Sequence, residues 1–270
     1  MISDANIEII PFKSVWEMLD NLPRGSRVAV TTSPSKGVEA TIQAIPELTE
    51  RGFTVIPHIG ARYIKGIDEL KQISEVLEKH NIEEIFAIGG DVEDPAGAYS
   101  YSAKMLSDLL DMNNSIKSVG VGGYPEGHPK IDQDTLINHL KMKINIAQNH
   151  NVEIHINSQA CYDPKRILSW IRELYSFNIN IPIYLGFFGP VDIVKLIKMS
   201  PEIGVGESVR FLKAMGLESA FKAITYDATS LVKSFGGNPE AENIQGFHIF
   251  TLNNLEGTVD WQKNFKLSAS

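Results

Sequence analysis

From one end of the chain to the other, short apolar or β-branched runs alternate with longer amphipathic stretches, and that alternation limits the fold more than any other feature. The strand-like runs are Ile7–Phe12, Arg27–Thr32, Thr54–Ile59, Glu84–Gly89, Ser118–Tyr124, Glu153–Gln159, Pro182–Phe188 and Phe247–Leu252. Most are rich in Val, Ile and Phe, as strands buried on both faces are. Helical patterns fall between them at Lys36–Arg51, Gly66–His80, Tyr101–Met112, Thr135–Asn149, Pro164–Phe177, Val191–Met199 and Leu217–Ser234. Within Gly66–His80, Ile67, Leu70, Ile73, Val76 and Leu77 recur at helical spacing, Asp68, Glu69, Lys71 and Glu75 take the wet face, and Asn81 follows as a stop.

Alternation of this kind implies a parallel sheet with helical crossovers. Eight strand candidates favour closure, so the expected fold is α/β, a (β/α)8 TIM barrel, with residues 1–270 forming a single catalytic domain. An open doubly wound sheet is the structural alternative. Met199–Gly216 is the least regular connection, and its Gly-Val-Gly-Glu is either a functional loop or surface decoration.

Charge and cysteine usage narrow the function classes. A formal net charge of −8 without a dense Lys/Arg run disfavours nucleic acid as a partner, which would need a concentrated basic face. Cys161 is the only cysteine, so no intrachain disulfide forms, in keeping with a reducing compartment. The start Met1-Ile-Ser-Asp-Ala-Asn lacks a signal peptide's basic start and apolar run. No stretch reaches the roughly 20 apolar residues of a membrane helix. A soluble, cytoplasmic protein without a membrane partner is expected.

Barrel active sites are built at the C-terminal strand ends, so polar residues there carry the most weight. Glu8 sits among Ile7, Ile9 and Ile10. Burial there would raise its pKa and make it a candidate general acid; an outward-facing Glu8 is the equally weighted alternative. The second run ends with the hydroxyls of Thr31, Thr32 and Ser33, and Ser35 reads as a helix cap. The third leaves His58 in an apolar setting, where a core histidine is the plainer reading. Gly89-Gly90-Asp91 closes the fourth, its glycines allowing either a ligand's close approach or a tight turn.

The fifth run ends Gly122-Gly123-Tyr124-Pro125-Glu126-Gly127-His128-Pro129, which fixes an aromatic, a carboxylate and an imidazole in one stiff loop. Such density points to function rather than to turn chemistry. Asn157-Ser158-Gln159 ends the sixth and Thr251-Leu252-Asn253 the eighth. There is no H-E-x-x-H spacing or cysteine cluster, so no metal is expected. P-loop and dinucleotide glycine motifs are also missing, and no Ser-His-Asp triad can be assembled. Hydroxyls, amides, Tyr and Gly suggest a large, mostly neutral organic ligand across the barrel mouth.

Taken together, these strand ends resemble the methylenetetrahydrofolate reductase family of flavin-dependent barrels. Gly123-Tyr124-Pro125-Glu126-Gly127-His128-Pro129 followed by Leu140-Lys141-Met142-Lys143 resembles the family's G/A-Y-P-E-x-H-P and L-K-x-K. In the same order, Ile7-Glu8-Ile9-Ile10-Pro11 resembles F-E-F-F-P, Val30-Thr31 resembles V-T, and Pro57-His58 the third-strand histidine. Gly90-Asp91 resembles the end of R-G-D, and Tyr101-Ser102 the Y-A that follows. Gln159 to Asp163 resembles Q-F-F-F-D, and Phe247 to Asn253 resembles F-H-F-Y-T-L-N.

The resemblance implies that Thr31, His58, Gly90, Asp91, Tyr101, Ser102, Tyr124, His128 and Lys143 hold FAD, with Lys143 suited to its pyrophosphate. It assigns Glu8 as the acid that protonates the folate amine, Asp91 as the group facing the resulting cation, and Gln159 as the pterin's orienting contact. The implied reaction passes hydride from reduced FAD to 5,10-methylenetetrahydrofolate, giving the 5-methyltetrahydrofolate of methionine biosynthesis, or runs in reverse in one-carbon catabolism. NADH or NADPH is the implied electron donor and a homo-oligomer the implied assembly.

Several positions depart from the family pattern. Gly89 replaces the arginine of R-G-D, Asn254 stands where T-L-N-R has arginine, Ala160-Cys161-Tyr162 replaces aromatic residues, and Gly204–Phe211 matches no family loop cleanly. Two other readings stay open, the first of them motivated by Gly89 and Asn254. One is a folate-binding or methyl-transfer partner that has lost flavin chemistry. The other is an unrelated barrel lyase using Glu8 and His128 as acid and base.

Overall fold

The computed structural model describes residues 2–32, 37–192, 225–226 and 228–269. Eight strands close into a barrel: β1 (Asn6–Ile9), β2 (Arg27–Val30), β3 (Thr54–Gly60), β4 (Glu84–Ile88), β5 (Ser118–Gly123), β6 (Glu153–Ser158), β7 (Ile183–Phe188) and β8 (Ile244–Phe250). Each pairs in parallel with the next in chain order, and β8 closes on β1 with Ile7 opposite Ile249. All eight expected strands are present and the closed barrel is the fold. β1 is shorter than its apolar run, and Pro11, which has no N–H to give a ladder, follows soon after.

Helices α1 (Val15–Met18), α2 (Glu39–Glu50), α3 (Ile67–Lys79), α4 (Ser102–Met112), α5 (Gln133–Asn149), α6 (Pro164–Ser176), α7 (Thr229–Ser234) and α8 (Leu255–Ala269) connect the strands or follow the last. Asp132 caps α5 by accepting from the Thr135 amide at 2.9 Å, and Asp163 caps α6 in the same way from Lys165. Two expected helices are corrected. Val191–Asp192 pairs antiparallel with Thr225–Tyr226, so neither Val191–Met199 nor Leu217–Ser234 is helical throughout. β-Branched and aromatic residues at that crossing favour cross-strand pairing over a weak helical spacing. The remainder of the first helix, Met199–Gly216, Gly204–Phe211, Ser33 and Ser35 lie outside the described residues.

Alternation along each strand creates two interiors. Outward residues such as Ile9, Val30, Ile85, Val121, Ile156, Leu185 and Ile249 join Leu48, Leu70, Leu106 and Ile171 of the helices in the main core. Inward residues fill the lumen, where Ala29, Ile56 and Phe86 form a small apolar cluster of their own. At the lumen's N-terminal floor, Arg27 Nη2 meets Glu84 Oε2 at 2.6 Å and Arg27 Nε donates to Asn6 Oδ1 at 2.8 Å. Ser118 Oγ and His155 Nδ1 are 3.4 Å apart in the same layer.

Candidate active site

Glu8 points inward, settling the alternative that the sequence left open. Its Oε2 lies 3.1 Å from His248 Nε2 and 3.8 Å from His58 Nε2. Both imidazoles are buried. His58 packs edge-on against Phe86 at a ring separation of 4.6 Å, and its peptide carbonyl accepts from Thr32 Oγ1 at 2.6 Å. Burial first, and the neighbouring His248 second, push the His58 pKa well below the usual histidine range, so the ring is neutral.

His248 stood in the Phe247–Asn253 motif but was given no role from sequence. Its signal was the mirror of Glu8, one ionisable side chain inside an apolar strand, on the strand that closes the barrel against β1. The segment after β8 then locks β1. Thr251 Oγ1 donates to the Glu8 carbonyl at 2.6 Å, while the Asn253 amide bridges both backbone groups of Ile10 at 2.8 and 2.9 Å. Thr251-Leu252-Asn253 thus acts as a clamp that fixes where Glu8 stands.

Asp91, Tyr124 and His128 form a second group at the mouth. Gly90 has φ of +98°, and a Cβ there would stand 2.8 Å from the Tyr63 ring, which also lies against Gly60. Only glycine permits that turn and that approach. Tyr63 Oη accepts from the Asp91 amide at 3.3 Å, leaving the Asp91 carboxylate exposed. Tyr124 folds back over Gly122 and meets His128 edge to face at 5.1 Å. Burial, and then the charge of Asp91, raise the Tyr124 pKa; burial lowers that of His128, with Asp91 opposing.

Tyr101, Ser102 and Lys143 gather on the neighbouring α4 and α5. The Tyr101 ring is 4.9 Å from His139, one turn before Lys143, and Ser102 is buried as the first residue of α4. Lys143 is buried too, and burial alone pushes its pKa down to about 8. Thr31 and Gln159 stand at the ends of β2 and β6 in local bonds, Thr31 Oγ1 to the Thr32 carbonyl and Gln159 Oε1 from the Ala160 amide. Among the described residues, neither side chain forms a hydrogen bond with Glu8.

The departures have structural accounts. Arg62, which sequence reasoning passed over, donates to the carbonyls of Val92, Glu93 and Ser100, and its amide donates to the Gly89 carbonyl at 2.8 Å. The cation near this loop therefore shapes the loop itself. Asn254 Nδ2 donates to the Pro190 carbonyl at 2.8 Å and its Oδ1 accepts from the Gly257 amide at 3.3 Å, so this side chain caps α8. Ala160, Cys161 and Tyr162 are buried, and Tyr162 Oη accepts from the Phe188 amide at 3.0 Å, so they fill core.

Comparison with known proteins adds one decisive observation: the methylenetetrahydrofolate reductase family matches residues 11–264. The chain belongs to that family. It is 25% identical over 163 residues to methylenetetrahydrofolate reductase 1 of Schizosaccharomyces pombe, a match covering 60% of this chain. The chain spans about a quarter of that relative's length, 26%. Among solved structures, HPPK-DHPS of Plasmodium falciparum, with pterin and p-hydroxybenzoate, aligns over 98% of this chain and 46% of its own at 11% identity and a TM-score of 0.49. A likeness that distant bears on neither activity nor substrate. No helix among the described residues is long and apolar enough to cross a membrane.

Proposed function

We propose that this family member binds FAD across the barrel mouth and interconverts 5,10-methylenetetrahydrofolate and 5-methyltetrahydrofolate. The observation that carries the reading is the Glu8 carboxyl group, held by a clamped strand at 3.1 Å from His248 inside the mouth of a barrel of this family. The residues present suit a dinucleotide flavin. Lys143 is a buried cation whose only perturbation is desolvation, a cost that a pyrophosphate would offset. Gly90 gives a side-chain-free approach beside Asp91, and the Tyr124–His128 pair offers an apolar and polar edge together.

When bound, FAD supplies the hydride carrier, with NADH or NADPH as its electron source. Glu8 is the proton donor to the folate amine, and His248 holds the carboxyl group in place through its buried ring. Asp91 faces the cation that forms on the substrate, and Gln159 orients the pterin. The neutral His58 adds no competing positive charge beside that cation.

The test is an absorbance spectrum of the purified chain with added FAD, repeated under argon after NADH and then NADPH. Retained flavin that bleaches with a nicotinamide donor and reoxidises with methylenetetrahydrofolate supports the reading. No flavin uptake overturns it. Asn254, committed to capping α8 where the family pattern has arginine, favours the second reading of a folate binder without redox chemistry. That reading predicts folate binding with no flavin reduction.

A further inference from the structure

Glu8, His58 and His248 reach the lumen from β1, β3 and β8, and one ligand atom from each lies within 4.8 Å of the others. Glu8 Oε2 is 3.1 Å from one imidazole nitrogen and 3.8 Å from the other. Ligands bonded to one first-row ion at about 2.0–2.2 Å stand roughly 3–3.6 Å apart, so small side-chain rotations bring all three onto a common centre. His58 Nε2 is buried, aimed at this centre, and without a hydrogen-bond partner among the described residues. A buried polar atom without a partner destabilises the fold, and a ligand at the centre would remove that cost.

We propose that Glu8, His58 and His248 bind a single divalent first-row transition cation of the zinc class. Two imidazoles and one carboxylate suit such an ion, whereas calcium and magnesium take oxygen ligands almost throughout. The ligands stand on strands rather than loops, with Thr32 and Thr251 bonding the peptide carbonyls of His58 and Glu8 at 2.6 Å each. The Glu8 side chain keeps 15% exposure, which gives the ion a way in from the mouth. Because the three ligands are scattered over 240 residues of sequence, no spacing motif reveals them. Binding stands apart from the flavin reading. One consequence rests on that reading: an ion on Glu8 takes the carboxyl group away from proton transfer, so zinc inhibits turnover.

The test uses the untagged full chain, freed of metal with chelator, titrated with cobalt(II) and then zinc while visible absorption and heat are followed. One equivalent of cobalt is expected, with the visible bands of a low-coordinate ion that zinc displaces. Glu8→Gln and His58→Gln, nearly matched in size, are expected to weaken binding by more than about 100-fold. Far-UV circular dichroism identifies a variant that fails to fold. X-ray absorption of the cobalt-loaded parent, showing two imidazoles, reads the ligand set without any substitution. Absence of binding, binding that survives both substitutions, or a spectrum without imidazole overturns the proposal. Flavin uptake without cobalt binding sinks only this site, and cobalt binding without flavin uptake sinks only the reductase reading.

Discussion

The floor and the mouth of the barrel lumen both bury ionisable groups, and they give their carboxylates different partners. At the floor, the Arg27 guanidinium neutralises Glu84 at 2.6 Å and also bonds Asn6. Burial there pushes His155 down to about 4, so that imidazole adds no charge to the layer. Near the mouth, Glu8 faces two imidazoles and no guanidinium, and His58 Nε2 is left without a partner among the described residues. The floor pairs its carboxylate with a guanidinium, although Asn6 Nδ2, Glu84 Oε1 and His155 Nε2 there also lack hydrogen-bond partners among the described residues, while the carboxylate near the mouth has imidazoles alone. The polarity of this architecture leads one to expect stability from the guanidinium-paired floor and chemistry at the mouth.

Two substitutions test that division, and they carry the largest expected effects. Glu8→Gln is expected to lower kcat by about 10²–10⁴-fold, the usual contribution of a positioned acid, while the urea midpoint barely moves. Arg27→Met should do the reverse. Removing one partner of a largely buried pair strands Glu84, a loss of about 3 kcal/mol in urea unfolding, with kcat little changed. If both variants lose stability alike and keep their activity, the contrast between floor and mouth is wrong.

How much of this was legible in the sequence depended on whether the information was local. Each strand lies in a short run rich in apolar or β-branched residues, so all eight were readable, and α3 was readable from its spacing. The helix α8 was not, because its hydrophobic pattern is weak and nothing local distinguishes it from a tail. In the site, the strand-end motifs put Tyr124 and His128 in one loop and named Asp91 apart from them, and Lys143 came from the motif downstream. That Asp91 acts electrostatically on both Tyr124 and His128 needed the barrel to close. The role of His248 was missed for the same reason, since its partner Glu8 is 240 residues away and meets it only across the closing strand pair. Arg62 was invisible because its role is to bond backbone carbonyls of a distant loop, which leaves no side-chain pattern.

Lys143 sharpens the comparison from the mouth side. Its pKa of about 8, against an ordinary 10.5, arises from burial, so the apo protein loses this cation as pH rises through 8. A pyrophosphate binds the protonated amine and raises its pKa, so FAD affinity is flat well below pH 8 and falls above it. Between pH 7 and pH 9 the expected loss is about tenfold, measured by flavin fluorescence quenching, because a group one unit above its pKa is about one-tenth protonated. In Lys143→Met the dependence should vanish and affinity should stay at the weak, high-pH level. A dependence that persists in the variant removes Lys143 from the flavin site.

The smallest effect concerns the two positions where the family pattern has arginine. A Cβ added at Gly89 meets no heavy atom within 4 Å, so Gly89→Arg can be accepted without moving its surroundings. The Gly89 carbonyl keeps its bond from the Arg62 amide, since that contact is backbone to backbone. The new cation would stand beside Asp91 at the edge of the mouth, partly in solvent, where a single added charge contact is worth up to about 1 kcal/mol. FAD affinity should therefore rise by no more than about fivefold, with the unfolding midpoint unchanged. Asn254→Arg is the contrasting change. It removes the amide that ties Pro190 and caps α8, so about 1 kcal/mol of stability should be lost in urea unfolding. Equal gains in affinity at both positions would show that the mouth tolerates either arginine and that Asn254 is not needed to hold α8 in place.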